Sequence, residues 1–201
     1  MKGMMKLLFY LMIWFAVTKA QTTNTSSVNK ETHKTKCNVQ QAFEVESLIP
    51  MFFFKGFHLA IGYRYERFRI RFSVINGGTY NAEQAGIGNA KDQFNRYYLT
   101  SPGIFVGYNI WKYVDLYAML ESHNYSIEQR STGIKKDLQS IDYGFGIGYQ
   151  YFIGDYFYIQ PAIHLYLRGN HSINFNNETY QIPRADFSPV LRLGVRLWNK
   201  D

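Results

Sequence analysis

Hydrophobic and polar residues alternate along most of this chain with a period of two. From Ile141 to Ile153 one parity reads Ile141, Tyr143, Phe145, Ile147, Tyr149, Tyr151, Ile153. The other reads Asp142, Gly144, Gly146, Gly148, Gln150, Phe152. A two-residue repeat places such sets on opposite faces of a β-strand. Phe157, Ile159, Pro161, Ile163, Leu165 and Leu167 alternate in the same way with Tyr158, Gln160, Ala162, His164, Tyr166 and Arg168. Leu191, Leu193, Val195 and Leu197 alternate with Arg192, Gly194 and Arg196, and Phe68, Ile70, Phe72 and Val74 with Arg67, Arg69, Arg71 and Ser73. A helical period of 3.6 is absent. The pattern predicts strands near 40–49, 57–65, 67–76, 97–109, 114–127, 139–153, 157–168 and 187–198.

The predicted connections alternate in length. Glu66-Arg67, Trp111-Lys112-Tyr113 and Gly154-Asp155-Tyr156 are short, whereas 77–96, 128–138 and 169–186 are long and rich in Asn, Gly, Ser and charge. Short turns on one rim and long loops on the other suit an up-and-down antiparallel barrel. The first long-rim connection, Met51-Phe52-Phe53-Phe54-Lys55-Gly56, is short and apolar instead. Pro50 beside it cannot donate to a ladder, which predicts a bulge there.

Alternation alone does not separate a membrane barrel from a soluble barrel or sandwich; the nature of the polar face does. That face carries Arg64, Arg67, Arg69, Arg71, Arg192, Arg196, Glu44, Glu46, Glu121 and Asp142, together with glycines 62, 107, 144, 146, 148 and 194. Glycine weakens a solvated strand but suits a narrow interior crowded by long side chains. The 17 Tyr, 16 Phe and 3 Trp suit aromatic girdles at two membrane interfaces. The expected fold is therefore all-β, an eight-stranded transmembrane barrel with apolar residues outward. Closure would set strand one between strands two and eight. Glu44 and Glu46 would then lie near Arg64, Arg69, Arg192 and Arg196. A lumen of carboxylate–arginine pairs, drawn from Glu44, Glu46, Arg64, Arg69, Arg71, Glu121, Asp142, Arg192 and Arg196, follows from the cost of burying unpaired charge; the alternative is a wider interior with separately solvated charges.

The N-terminus adds an address. Lys2 and Lys6 precede an uncharged run from Leu7 to Val17, and Thr18-Lys19-Ala20 ends in small residues. That is the order of a secretory signal peptide cut after Ala20, and the apolar run is too short to span a bilayer as a helix. The expected organisation is a signal peptide over 1–20, a disordered polar leader over 21–38 and a barrel over 39–201. Removing the signal takes three lysines and no acid from the formal charge of +7, leaving a mildly basic chain with no call for nucleic acid. The single cysteine, Cys37, excludes an intrachain disulfide framework.

Over residues 40–198 the chain resembles the small eight-stranded outer-membrane proteins of the OmpA/OmpX/OmpW type. Its last strand, Arg192-Leu193-Gly194-Val195-Arg196-Leu197-Trp198, is similar to the terminal strands that the outer-membrane assembly machinery reads in those families. It departs from them in that Trp198 shares the parity of the arginines and Asn199-Lys200-Asp201 follows. The resemblance implies the outer membrane of a Gram-negative-type bacterium, periplasmic termini, contact with outer-membrane lipid and lipopolysaccharide, and a monomer. It implies a non-catalytic role in envelope integrity, surface contact or adhesion through the outer loops.

Two other roles stay open. Lipid A-modifying hydrolases and acyltransferases among small barrels use a His and a Ser near the outer rim, and the deacylases show His-x-Ser. Here His123-Asn124-Tyr125-Ser126 and His171-Ser172 lack that spacing. His123 shares a face with Glu121, but Ser126 points the other way; His171 and Ser172 open a long loop that holds Glu178. The third role is passage of a small hydrophobic ligand through a lateral opening near Pro50 or Pro102. His58, His123 and His164 have no metal-ligand spacing, no cofactor motif is present, and Gly144-Phe145-Gly146-Ile147-Gly148 is strand-alternating rather than a phosphate loop. Arg130, Lys135 and Lys136 are candidates for lipopolysaccharide phosphates or for ordinary loop solubility.

Overall fold

A computed structural model describes residues 39–81, 93–176 and 178–200. The proposed signal peptide, leader and Cys37 lie outside them. The elements are β1 (Gln41–Leu48), α1 (Ile49–Phe53), β2 (Gly56–Tyr65), β3 (Phe68–Gly77), β4 (Thr79–Asn81), β5 (Phe94–Tyr98), β6 (Ser101–Trp111), β7 (Val114–Gln129), β8 (Lys135–Tyr149), β9 (Tyr151–Ile153), β10 (Phe157–Arg168), β11 (Ser172–Phe175), β12 (Glu178–Gln181) and β13 (Ala185–Lys200). Eight of them, β1, β2, β3, β6, β7, β8, β10 and β13, form a closed antiparallel ring in which β13 pairs with β1. Closure leaves no unpaired edge around the ring's lower part, which is what a hydrocarbon surround demands of a sheet.

The alternation reads directly onto the wall. Ile61, Phe72, Val106, Leu120, Ile141, Phe145, Leu193 and Leu197 face outward and are exposed. Glu44, Glu46, Arg64, Arg69, Arg71, Arg192 and Arg196 face inward and are buried. On β8 the outward apolar run goes from Tyr149 to Ile141; beyond it Gln139, Asp137 and Lys135 face out. At about 3.3 Å per residue and a tilt near 40°, that run is roughly 20–25 Å tall, the height of a bilayer's apolar band. Arg67, grouped by parity with the inward arginines, instead lies exposed in the β2–β3 turn.

Three expectations about the rims are corrected. The span 128–138 is mostly strand: β7 is 16 residues long and β8 is 15, and they pair up to Glu128↔Lys135, leaving a tip at 130–134. The predicted strand 97–109 is broken at Leu99-Thr100, where β5 leaves the ring to pair with β4 while staying on β7. Pro50 makes no bulge; it sits in the first turn of α1, where its missing N–H costs nothing. The bulge lies elsewhere. The β1–β13 register steps from Phe43↔Trp198 to Glu44↔Arg196, so Leu197 is the extra residue. That step turns both Leu197 and Trp198 outward and sets Trp198 against Phe43 in a tilted pair, 6.1 Å between ring centroids. The parity conflict at Trp198 is thereby resolved by backbone.

Above the apolar band the chain builds a second core. Phe94, Tyr125, Ile127, Leu138, Phe175, Tyr180 and Ile182 pack together, drawn from β5, the upper parts of β7 and β8, and the β11–β12 hairpin. The protruding elements are thus a packed layer rather than free loops.

Candidate functional site

The lower lumen is filled by side chains that converge from six strands. Glu44 and Glu46 stand two residues apart on β1 and so share its inner face. Arg69 Nη2 contacts Glu44 at 2.6 Å and Glu46 at short range. Arg196 reaches Glu44 at 2.9 Å, Arg64 Nε lies 3.6 Å from it, and Arg71 bonds Glu46 at 3.0 Å. Arg192 is 3.9 Å from Glu46. Alternation did not single out Asp115, which sits 3.4 Å from Arg64 and 3.5 Å from Arg69, or Tyr158, whose hydroxyl donates to Glu46 at 2.7 Å and accepts from Arg69 at 2.6 Å. Gln150 and Gln160 complete it by accepting from Arg64 and Arg69 at 2.7 and 3.3 Å.

The charges in this cluster do not balance one for one. Arg64, Arg69, Arg71, Arg192 and Arg196 face Glu44, Glu46 and Asp115 among the described residues. Aromatic faces take up the excess. Arg71 lies 5.0 Å from the Phe105 ring and 4.6 Å from Tyr117, Arg192 lies 5.4 and 5.6 Å from the same rings, and Arg196 lies 4.7 Å from Phe152. A desolvated cation over a ring gains about 2 kcal/mol or more, so these contacts matter most where water is excluded. Two glycines make room for the aromatic pillars: a Cβ at Gly146 would stand 2.3 Å from the Tyr117 ring, and one at Gly194 2.2 Å from Tyr158.

Glu121 and Asp142 belong to a second chain of contacts nearer the long-hairpin rim, not to the Glu44–Glu46 cluster. Arg192 donates to His164 Nε2 at 3.2 Å; because arginine only donates, that nitrogen is the bare one. His164 Nδ1 then donates to Tyr166 Oη at 2.7 Å, and Tyr166 donates to Glu121 at 2.7 Å. His123 Nδ1 lies 2.7 Å from Asp142, and its Nε2 3.8 Å from Glu121. Ser140 donates to the other oxygen of Asp142. Arg168 joins Asp142 at 3.5 Å to Asp186 at 2.8 Å.

The rim histidine has a carboxylate to orient it, but the serine of this group is tied to the carboxylate and not to the imidazole. Ser140 Oγ also accepts the Asn170 N–H at 3.1 Å. Ser126 stands on the opposite face of β7 from His123. Outside the lumen, Lys136 donates to the Asn174 carbonyl at 2.8 Å, Arg130 to Asn95 at 2.9 Å, and Lys135 lies 5.7 Å from the Tyr97 ring. Tyr97 donates to Glu128 at 2.9 Å, and that bond holds its phenol above the ordinary tyrosine range. Among the described residues no group of His, Cys, Asp and Glu could hold a metal ion.

No protein-family model matches the chain, and no curated protein sequence does. Solved structures similar to it include the N-terminal β-barrel domain of Pseudomonas aeruginosa OprF, at 10% identity over 79% of this chain and 98% of that one, with a TM-score of 0.44. Neisserial surface protein A is similar at 17% identity over 78% of this chain and 91% of that one, with a TM-score of 0.42. Ail, the attachment invasion locus protein of Yersinia pestis, solved in complex with the heparin analogue sucrose octasulfate, is similar at 12% identity over 78% of this chain and 94% of that one, with a TM-score of 0.38. The eight-stranded closed architecture itself, of the OmpA/OmpX type, stands on this chain's own ladder.

Proposed function

We propose that this chain is a non-catalytic outer-membrane barrel whose lumen is closed by side chains and whose packed outer hairpins are its working surface. It would be exported by the 1–20 signal, assembled with both termini on the periplasmic side, and serve envelope integrity, surface contact or adhesion. The supporting observation is the fully buried Glu44–Glu46–arginine cluster, in which each carboxylate meets at least two guanidiniums at once. An eight-stranded ring leaves space for side chains only, and these fill it. What distinguishes the outer end is the apolar layer under β11–β12, which holds a fixed surface above the membrane. Lys135, Lys136 and Arg130 on that surface would meet lipopolysaccharide phosphates.

Planar-bilayer recording of the refolded protein tests the closed lumen: no discrete conductance steps are expected, and a stable open level would refute it. Mass spectrometry of lipid A from cells with and without the protein tests the non-catalytic role. Unchanged acylation is expected, and a new acyl pattern would replace this reading with a lipid A-modifying enzyme.

A further inference from the structure

The ring is complete in its lower half and notched in its upper half. β1 ends at Leu48↔Arg192, while β13 continues up to Ala185 and stays paired only with β10. On the other side of β1, pairing with β2 stops at Glu46↔Ala60, although β2 continues to Gly56. The chain leaves the wall there as α1. Residues 185–191 of β13 therefore have an edge with no strand partner among the described residues. Pro189 lies on this stretch, and proline tolerates such an edge because it has no N–H to lose.

A cavity of about 320 Å³ lies at this notch. Its walls show that it reaches sideways. Phe187 and Pro189, which face outward, line it together with the inward-facing Ser188 and Val190. A cavity that touches both faces of a strand passes around that strand's edge. Its outward side is apolar: Phe187 and Pro189 are exposed on the lipid-facing parity of β13 beside Pro50, while Met51 is buried and Leu48 shares the inward parity of Glu46. Its inner part carries Arg96, Arg168 and His123, with Asp186 on the wall and Asp142 behind it at 2.7 Å from His123 and 3.5 Å from Arg168. The arginine–carboxylate cluster below closes the floor, so whatever enters from the side stops here.

We propose that the notch binds the carboxylate head of a single-chain fatty acid from the surrounding leaflet, with its tail left in the bilayer. The inference rests on the reading that the barrel spans a membrane. The volume is at the small end of ligand pockets, too little for a multi-chain lipid with a sugar head. The two arginines on the wall favour an anion, and the lip at Phe187 and Pro189 lies on the lipid-facing parity of β13. Asp186 marks the exchange point. It pairs with Arg168 at 2.8 Å, yet its side chain is 36% exposed while that of Arg168 is 6% exposed. A fatty acid carboxylate takes the place of Asp186 on the Arg168 guanidinium, and the Asp186 side chain turns to water. A charge-assisted bond is exchanged for another of the same kind, so occupancy is set by the high local concentration of the acid in the leaflet and not by a gain in bond strength.

The experiment uses the full mature protein refolded in phosphatidylcholine bilayers with 5-doxyl stearic acid, its methyl ester and a 5-doxyl phosphatidylcholine, read by electron paramagnetic resonance. The free acid is expected to show a saturable, strongly immobilised component that the ester and the phospholipid lack. Arg168→Gln should weaken that binding by about tenfold, the scale of one charge-assisted hydrogen bond. Asp186→Asn should strengthen it, because the internal competitor is gone; a merely structural role for the pair would not move the two variants in opposite directions. Val190→Trp, which fills the cavity, should abolish it. Equal immobilisation of acid, ester and phospholipid, or weakening by Asp186→Asn, overturns the proposal. Heat-modifiable gel migration of the same samples separates this failure from a failure of the barrel reading: a protein that folds only with lipid or detergent but binds no acid sinks the notch alone.

Discussion

Glu44 offers the sharpest test of how the barrel is held together. It is fully buried, with Arg69 at 2.6 Å, Arg196 at 2.9 Å and Arg64 Nε at 3.6 Å. Glu44→Ala removes one negative charge and leaves three guanidiniums facing one another with no water to screen them. Breaking a buried ion pair from one side costs about 3–5 kcal/mol, most of it the stranded partner's lost solvation. That corresponds to roughly two to four powers of ten in the unfolding equilibrium, at about 1.4 kcal/mol each. Urea titration of the protein refolded in phospholipid, followed by gel mobility and tryptophan fluorescence, reads it as a lowered midpoint with an unchanged slope.

The second half of the experiment separates pairing from packing. Glu44→Met combined with Arg196→Met removes one charge of each sign and keeps the volume. Arg69 retains Glu46 and Asp115, and Arg64 retains Asp115. Apolar replacement of a buried pair is often close to neutral, so the double variant should recover at least half of the loss seen in Glu44→Ala. A loss below about 1 kcal/mol for Glu44→Ala is the range of a solvated surface pair. Such a result, or a double variant as damaged as the sum of its singles, would mean a wet lumen with separately hydrated charges, and the argument for a closed interior would fail with it.

Other perturbations probe other parts of the same frame. Gly194→Ala puts a methyl group 2.2 Å from the Tyr158 ring, and overpacking of this kind costs about 1–3 kcal/mol; the same urea titration should show it, and a neutral effect would mean that Tyr158 does not stand against β13. Deletion of Leu197 removes the bulge and leaves Trp198 directly after Arg196, outward and opposite Phe43, so the Trp198–Phe43 contact, worth about 0.5–1.5 kcal/mol as an aromatic pair, is kept; the variant should refold with a urea midpoint near that of the wild type, and failure to fold would argue against that register. At the outer surface Tyr97 should ionise at higher pH than an ordinary tyrosine, because its hydroxyl donates to Glu128 and ionisation forfeits that bond. The raised value favours the neutral folded form, so this small stabilisation is present below the ordinary tyrosine range and is lost as pH rises through the Tyr97 value. Ultraviolet difference titration of Glu128→Gln against wild type checks it, and identical curves would refute it.

What could be read in advance was the facing of each strand in the membrane. Arg69, Arg71, Glu44, Glu46 and Arg192 declare the inner face because they alternate with lipid-facing Phe, Ile and Leu, and hydrocarbon tolerates no exception. Asp115, Tyr117, Tyr158 and Gln160 obeyed the same parity, so the signal that they face inward was present. That Tyr158 would meet Glu46 and Arg69 was not legible, because contacts across a lumen depend on the stagger of strands around the ring, which no single strand's sequence encodes.

The tip of the long hairpin was missed for a different reason: from Glu128 to Asp137, Ile134 is the one large apolar side chain, so no alternation is left to read although the ladder runs on to Glu128↔Lys135. On β7 the outward residues are Leu116, Ala118 and Leu120, then Ser122, Asn124, Ser126 and Glu128. The inward residues are Asp115, Tyr117 and Met119, then Glu121, His123, Tyr125 and Ile127. Within one strand the apolar side therefore changes from outer to inner without any slip of parity. Below the change the solvent is lipid and the greasy face must look out; above it the solvent is water and the greasy face must look in, onto Phe94, Leu138 and Tyr180. The crossing lies near Leu120–Ser122 on β7 and near Gln139–Ile141 on β8, stretches that meet at the Ser122↔Ile141 pair of the ladder. Both crossings fall within stretches that period two marks as strand, 114–127 and 139–153. Two neighbouring strands thus mark the same level, so the inversion of facing is the chain's own record of where the apolar band ends.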